Sequence, residues 1–140
     1  MRATAAGGAE SADVREILRL ALEPLPAAPG GSVQSGEFLE TYAALLREKI
    51  VAAANGCEKP LAGKRIVVDA GNGAGGFFAE KVLAPLGADT TGSRYLDPDG
   101  RFPNHVPNPE LPEAMDSIRA AVLESRADFG IIFDTDVDRA

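Results

Sequence analysis

The sequence predicts an α/β layer fold with a mainly parallel central sheet. Three observations predict it: two short, almost uninterrupted apolar runs, helix-period segments before and between them, and glycine or aspartate clusters directly after each run. Both faces of such strands must be covered. A parallel pair needs a crossover of a dozen or more residues, here supplied by the helical segments and expected to be right-handed.

Taken in order, Ser11 is positioned to cap a short helix carrying Val14, Ile17, Leu18, Ala21 and Leu22 on one face, which Pro24 and Pro26 stop. Residues 24–36 hold too many breakers for an element and read as a linker, which sets residues 1–35 apart from a core domain at 36–140. Ser35 is the expected cap of a longer helix with Phe38, Tyr42, Leu45, Leu46, Ile50 and Ala53 as its apolar stripe, ended by Asn55-Gly56. The first strand is Arg65–Asp69, followed by a glycine turn and a helix from about Phe77 to Leu86. A breaker-rich loop, 87–109, leads to a helix over Leu111–Ser125 that should turn Met115, Ile118, Ala121 and Val122 inward. Phe129–Phe133 is the second buried strand. The chain stops at Ala140, one residue past an aspartate-rich loop, so the natural protein is expected to continue.

Bulk composition narrows the function classes. The chain has 140 residues, one domain by length and small for a complete multi-substrate enzyme. Fourteen basic against twenty-one acidic residues give a net charge of −7, which opposes the phosphate attraction behind nucleic-acid affinity. No apolar stretch approaches the roughly 20 residues that span a bilayer, so neither nucleic acid nor membrane is an expected partner. A single cysteine, Cys57, cannot form an internal disulfide, and residues 1–10 lack the apolar core of a signal peptide. A cytoplasmic location fits, with a plastid one conceivable only for a longer protein whose transit peptide has been lost.

Three motifs carry candidate chemistry. In Asp134-Thr135-Asp136-Val137-Asp138-Arg139, carboxylates at i, i+2 and i+4 share one face of an extended segment and converge if it curls. Their mutual repulsion is relieved by a hard divalent cation, and an all-oxygen set favours Mg²⁺ or Mn²⁺ over zinc. Arg139 adds a planar fork suited to phosphate. The second motif, Gly71-Asn72-Gly73-Ala74-Gly75-Gly76, matches a dinucleotide fingerprint on paper. It serves equally as a tight turn that lets helix and sheet approach, or as a phosphate site at a helix N-terminus. The third, residues 97–109, holds four prolines and the lone histidine, His105, which is more simply a structural or interface residue than a base.

In this order the segments Val67 to Gly76, Asp99 to Pro109 and Asp134-x-Asp136-x-Asp138-Arg139 resemble an α-D-phosphohexomutase, the phosphoglucomutase and phosphomannomutase family. The resemblance runs from about Phe38 to Ala140 and corresponds to the second of that family's four domains, a three-layer α/β/α unit. It implies that Asp134, Asp136 and Asp138 hold Mg²⁺, that Arg139 contacts the transferring phosphoryl group, and that a phosphoserine from another domain and a hexose phosphate are the partners. It implies an intramolecular phosphotransferase that interconverts 1- and 6-phosphates. The family's serine-histidine, sugar-selecting and distal phosphate loops are not in this chain, so it is not expected to turn over alone. The family's commonest metal loop has glycine where Thr135 and Val137 stand. Branched residues resist positive φ, which predicts an altered loop.

Two other chemistries fit parts of the sequence. Ile131 to Val137 also matches an apolar strand ending in D-x-D-x-[TV], as in haloacid-dehalogenase-type phosphatases, with Asp134 as nucleophile and Asp136 as acid. A non-enzymatic nucleotide-binding module could use the glycine turn. An EF-hand calcium loop lacks its glycine where Arg139 sits, and its closing glutamate.

Overall fold

The computed structural model describes residues 2–4, 7–24 and 30–140. Residues 25–29 of the predicted linker lie outside the described residues. Backbone contacts divide the chain into two units, Met1–Ser35 and Gly36–Ala140.

In the first unit, two short antiparallel strands, β1 (Arg2–Thr4) and β2 (Gly7–Gly8), precede helix α1 (Ser11–Ala21). The cap of α1 is Glu10, not Ser11. Glu10 and Asp13 form a reciprocal capping box in which the Glu10 amide donates to Asp13 Oδ2 at 2.9 Å, so Ser11 becomes the first helical residue. Val14, Ile17 and Leu18 of the predicted stripe are exposed, and no residue of α1 is buried.

The second unit begins with α2 (Phe38–Ala53), capped at Glu37 and ended by Asn55 and Gly56, both at positive φ. The expected cap, Ser35, lies two residues before the cap position that Glu37 occupies. The buried face of α2 is also rotated from the predicted one. Ala43, with Leu46, Ile50 and Val51 beside it, packs on Val82 and Leu86, while Phe38 is 69% exposed. Small Ala43 permits a close approach that Phe38 would prevent.

Strands β3 (Ile66–Asp69) and β4 (Phe129–Ile132) pair in parallel, with Ile66 opposite Phe129 and Asp69 opposite Ile132. Alternation sends Ile66 and Val68 to one face, with Ala79, Leu83 and Phe133. It sends Val67 to the other, against Ala114, Ile118 and Ala121 of helix α3 (Pro112–Ser125). The helix Phe78–Leu83 covers the first face and α2 packs outside it, giving helical layers on both sides of the sheet. That helix is shorter and wider than predicted: Ala84 N–H reaches back to Ala79, and Pro85 cannot donate to extend it. Met115, expected inside, is half exposed, because Ala114, Ile118 and Ala121 form the buried stripe.

Residues 89–94, read from sequence as loop, run along the free side of β3. Ile66 donates to the Asp89 carbonyl at 2.9 Å and Arg94 to that of Val68 at 2.8 Å. The outer edge of β4 carries no strand among the described residues, and Phe129 is accordingly exposed rather than buried. Among the described residues no helix is long and apolar enough to cross a membrane.

Candidate metal centre

The parallel pairing brings the C-terminal ends of β3 and β4 side by side, so the turns that follow Asp69 and Phe133 touch. Phe133 still donates to the Asp69 carbonyl at 3.1 Å, after which the chain closes on itself: Asp134 N–H donates to the Arg139 carbonyl, and Arg139 N–H to Asp134 Oδ1, both at 3.2 Å. This ring curls the alternating carboxylates inward. One oxygen each from Asp134, Asp136 and Asp138 lies within 4.8 Å of the others. Asp134 is 2% exposed, whereas Asp136 and Asp138 face solvent.

Arg139 stands beside the cluster. Its Nε donates to Asp134 Oδ2 at 3.0 Å and lies 3.7 Å from Asp138 Oδ1, while Nη1 contacts Asn108 Oδ1 at 3.4 Å and Glu110 Oε1 at 3.5 Å. Burial opposes ionisation of Asp134, yet hydrogen bonds from the Arg139 amide, Asp138 and the Arg139 guanidinium hold its carboxyl below the ordinary value. Asp138 moves the other way. Its contact with Asp134, and then the negative charges of Asp136 and Asp134, raise it. The donor set is therefore anionic, all oxygen and crowded, with no cysteine or histidine in it. That is the chemistry a hard divalent cation fits.

Thr135 avoids the left-handed region but Val137 does not: its φ is +69°. The branched side chain was expected to resist that conformation. Packing of Val137 against the Val68–Phe133 cluster offsets the local penalty.

The glycine turn serves as scaffold. Gly71, Asn72, Gly73 and Ala74 donate their N–H groups to Asp69 Oδ1 and to the carbonyls of Tyr95, Ala70 and Thr135, at 2.7–2.9 Å. Four consecutive donors are thus consumed by protein acceptors, and the helical turn that follows, Ala74–Gly76, is three residues long. A phosphate cradle needs those N–H groups free, so the geometry does not support the dinucleotide or anion-site readings. A Cβ on Gly73 would fall 2.8 Å from the Thr135 carbonyl oxygen, so the turn packs directly against the aspartate loop.

The third motif docks on the same turn. Asn72 donates from Nδ2 to the Asp97 carbonyl and accepts from Asn104 Nδ2 at 2.7 Å. His105 lies inside this network. Its side chain is 6% exposed, and Nε2 lies 3.0 Å from Asp69 Oδ1. Sequence reasoning missed Asp69 altogether. This fully buried carboxylate accepts from His105, Gly71 N–H and Ser117 Oγ, and those donors sit 36, 2 and 48 residues away. Asn108 and Glu110 were missed for the same reason. The three motifs are one contact network.

Residues 40–140 match the family model for phosphoglucomutase/phosphomannomutase, alpha/beta/alpha domain II. The chain belongs to this family. As a phosphoglucomutase/phosphomannomutase domain it has many curated relatives. It is 38% identical over 134 residues to Escherichia coli phosphomannomutase, covering 90% of this chain and 28% of that protein. It is 37% identical over 125 residues to Pseudomonas aeruginosa phosphomannomutase/phosphoglucomutase, covering 89% and 25%. To Neisseria meningitidis phosphoglucomutase it is 34% identical over 129 residues, covering 79% and 28%. The chain spans about a quarter of the length of these relatives. The α/β/α class predicted from sequence agrees with the matched domain, and the haloacid-dehalogenase reading gives way to it.

Proposed function

We propose that this chain is the metal-binding domain of a phosphohexomutase, and that Asp134, Asp136 and Asp138 hold Mg²⁺. The convergence of three carboxylate oxygens within 4.8 Å, in a loop belonging to this family, carries the reading. When bound, Mg²⁺ supplies positive charge that offsets the charge on phosphoryl oxygens during transfer. The protein's own part is electrostatic. Asp134 anchors Arg139 through Nε, Asn108 and Glu110 hold Nη1, and Nη2 has no acceptor among the described residues. Arg139 is thereby held with one donor edge available to a phosphoryl oxygen.

In the whole enzyme the phosphoryl group travels between a phosphoserine of another domain and a hexose phosphate, interconverting its 1- and 6-phosphates. This chain supplies the carboxylates that would hold the metal, together with Arg139, and does not turn over alone. A cytoplasmic location fits the reading; the relatives named above are bacterial, and none supports a plastid one.

Calorimetric titration of the chain with Mg²⁺ and Mn²⁺ tests the proposal. Binding is expected for the parent and lost in Asp136→Ala; equal affinity in both would overturn the ligand assignment. Hydrolysis of a generic phosphoester by the isolated chain would instead favour phosphatase chemistry with Asp134 as nucleophile.

A further inference from the structure

We infer that His105 is a positioning residue for Arg139, acting through a short stiff arm that ends at Asn108 and Glu110. The inference rests on the reading of Arg139 as the phosphoryl contact, but its geometry stands apart from any metal.

The arm begins at a fixed point. A carboxylate can only accept, so His105 Nε2 donates to Asp69 Oδ1 at 3.0 Å, and Nδ1 lies 3.0 Å from the Val106 carbonyl oxygen. The ring of Tyr95 packs edge-on against the imidazole, with centroids 5.6 Å apart. Asp69 belongs to β3 and also holds Ser117 of α3, so this anchor ties the loop to both the sheet and a helix.

Two residues on, Pro107 is buried against Gly71, where a Cβ would come within 2.7 Å of the proline ring. Pro107 and Pro109 each fix a φ angle, which leaves the intervening segment little freedom. Asn108 is further held by its N–H on Val106 and by its Oδ1 accepting the Glu110 amide at 3.1 Å. Asn108 Oδ1 and Glu110 Oε1 then meet Arg139 Nη1 at 3.4 and 3.5 Å, a different nitrogen from the Nε that Asp134 holds. With the arm locked at His105, the guanidinium is held at two nitrogens, Nε and Nη1. With the lock open, only Asp134 and the more distant Asp138 restrain it.

The two roles of His105, bracing the fold and setting Arg139, separate experimentally because Asp69 keeps its Gly71 and Ser117 donors when the imidazole is removed. The readout is solvent exchange of the Arg139 Nη protons by NMR in the metal-free chain at low temperature, with the signal assigned through Arg139→Lys, because Nη1 is the nitrogen that Asn108 and Glu110 hold. His105→Ala is expected to speed that exchange about tenfold, the loss of one ordered charge-assisted hydrogen bond, while β3 amides stay protected. His105→Gln, which returns a donor towards Asp69, is expected to restore the parent rate. A parent-like rate in His105→Ala, or no restoration by His105→Gln, overturns the inference. If His105→Ala does not fold, Asn108→Ala decides: it leaves the Asp69 anchor intact and should produce the same acceleration, and an unchanged rate overturns the inference. Mn²⁺ titration of the same samples tests the metal reading separately, so either can fail alone.

Discussion

Gly76 lies so close to Leu96 that a Cβ at the glycine would fall 1.8 Å from the Leu96 carbonyl oxygen. The obstacle is backbone, which cannot swing aside as a flexible side chain would. Gly76→Ala is therefore expected to cost about 3 kcal/mol or more, or to abolish folding, whereas Gly100→Ala, with open space around it, should stay within about 0.5 kcal/mol of the parent. Urea denaturation of the two variants checks this, and equal midpoints would show that residues 71–76 do not pack on the 95–97 segment.

At Val137 two effects compete. A branched residue at φ +69° carries a penalty of about 1–2 kcal/mol, while its half-buried side chain contributes packing. Val137→Gly removes both and is expected to leave the melting temperature at or above that of the parent. Thr135 is outside the left-handed region, so Thr135→Gly gains nothing and should lose about 0.5–1 kcal/mol. A larger loss in Val137→Gly than in Thr135→Gly, measured by thermal unfolding, would show that the loop is unstrained.

Asp89 is held down to a pKa of about 2 by hydrogen bonds from the Thr91 side chain and backbone and then from Arg65. Its Oδ2 meets Arg65 Nε at 2.7 Å, at the point where segment 89–94 joins β3. A folded-state value below the ordinary 3.8 means that the contribution is fully present above about pH 4 and disappears as pH falls through about 2. Asp89→Asn should thus be less stable than the parent at pH 5–8, with the gap narrowing below pH 4 and closing near pH 2. A gap that persists at pH 2 in denaturant titrations would mean that Asp89 acts through packing, not charge.

What the sequence made legible follows from the range of the forces involved. Strands β3 and β4 are β-branched or apolar runs with short-range stops, and the aspartate loop carries its candidate ligands within five residues, so both could be read locally. Segment 89–94 could not, because Thr90, Thr91, Gly92 and Ser93 have turn character and pair with β3 only once β3 is placed. The face of α2 was misassigned for a related reason. Alanine and leucine occur around most of its circumference, so the periodicity admits several faces, and the one chosen is the one where Ala43 lets Val82 and Leu86 approach. Asp69 was invisible as a hub, since a carboxylate at a strand end looks solvated until donors from residues 105 and 117 arrive to satisfy it.

The pairing of β3 with β4 also bears on how the domain forms. Arg65 and Asp128, whose backbone–carboxylate bond opens the ladder, are 63 residues apart, and among the described residues no strand lies between β3 and β4 in the sheet. Closing so long a loop pays its entropy before the contacts return it, so this step should come late and slowly in folding. Only then do residues 133 and 69 meet and the aspartates converge. Cation binding at 134–138 would then serve as a kinetic clock for sheet closure, rising with the last phase of refolding and not with helix formation.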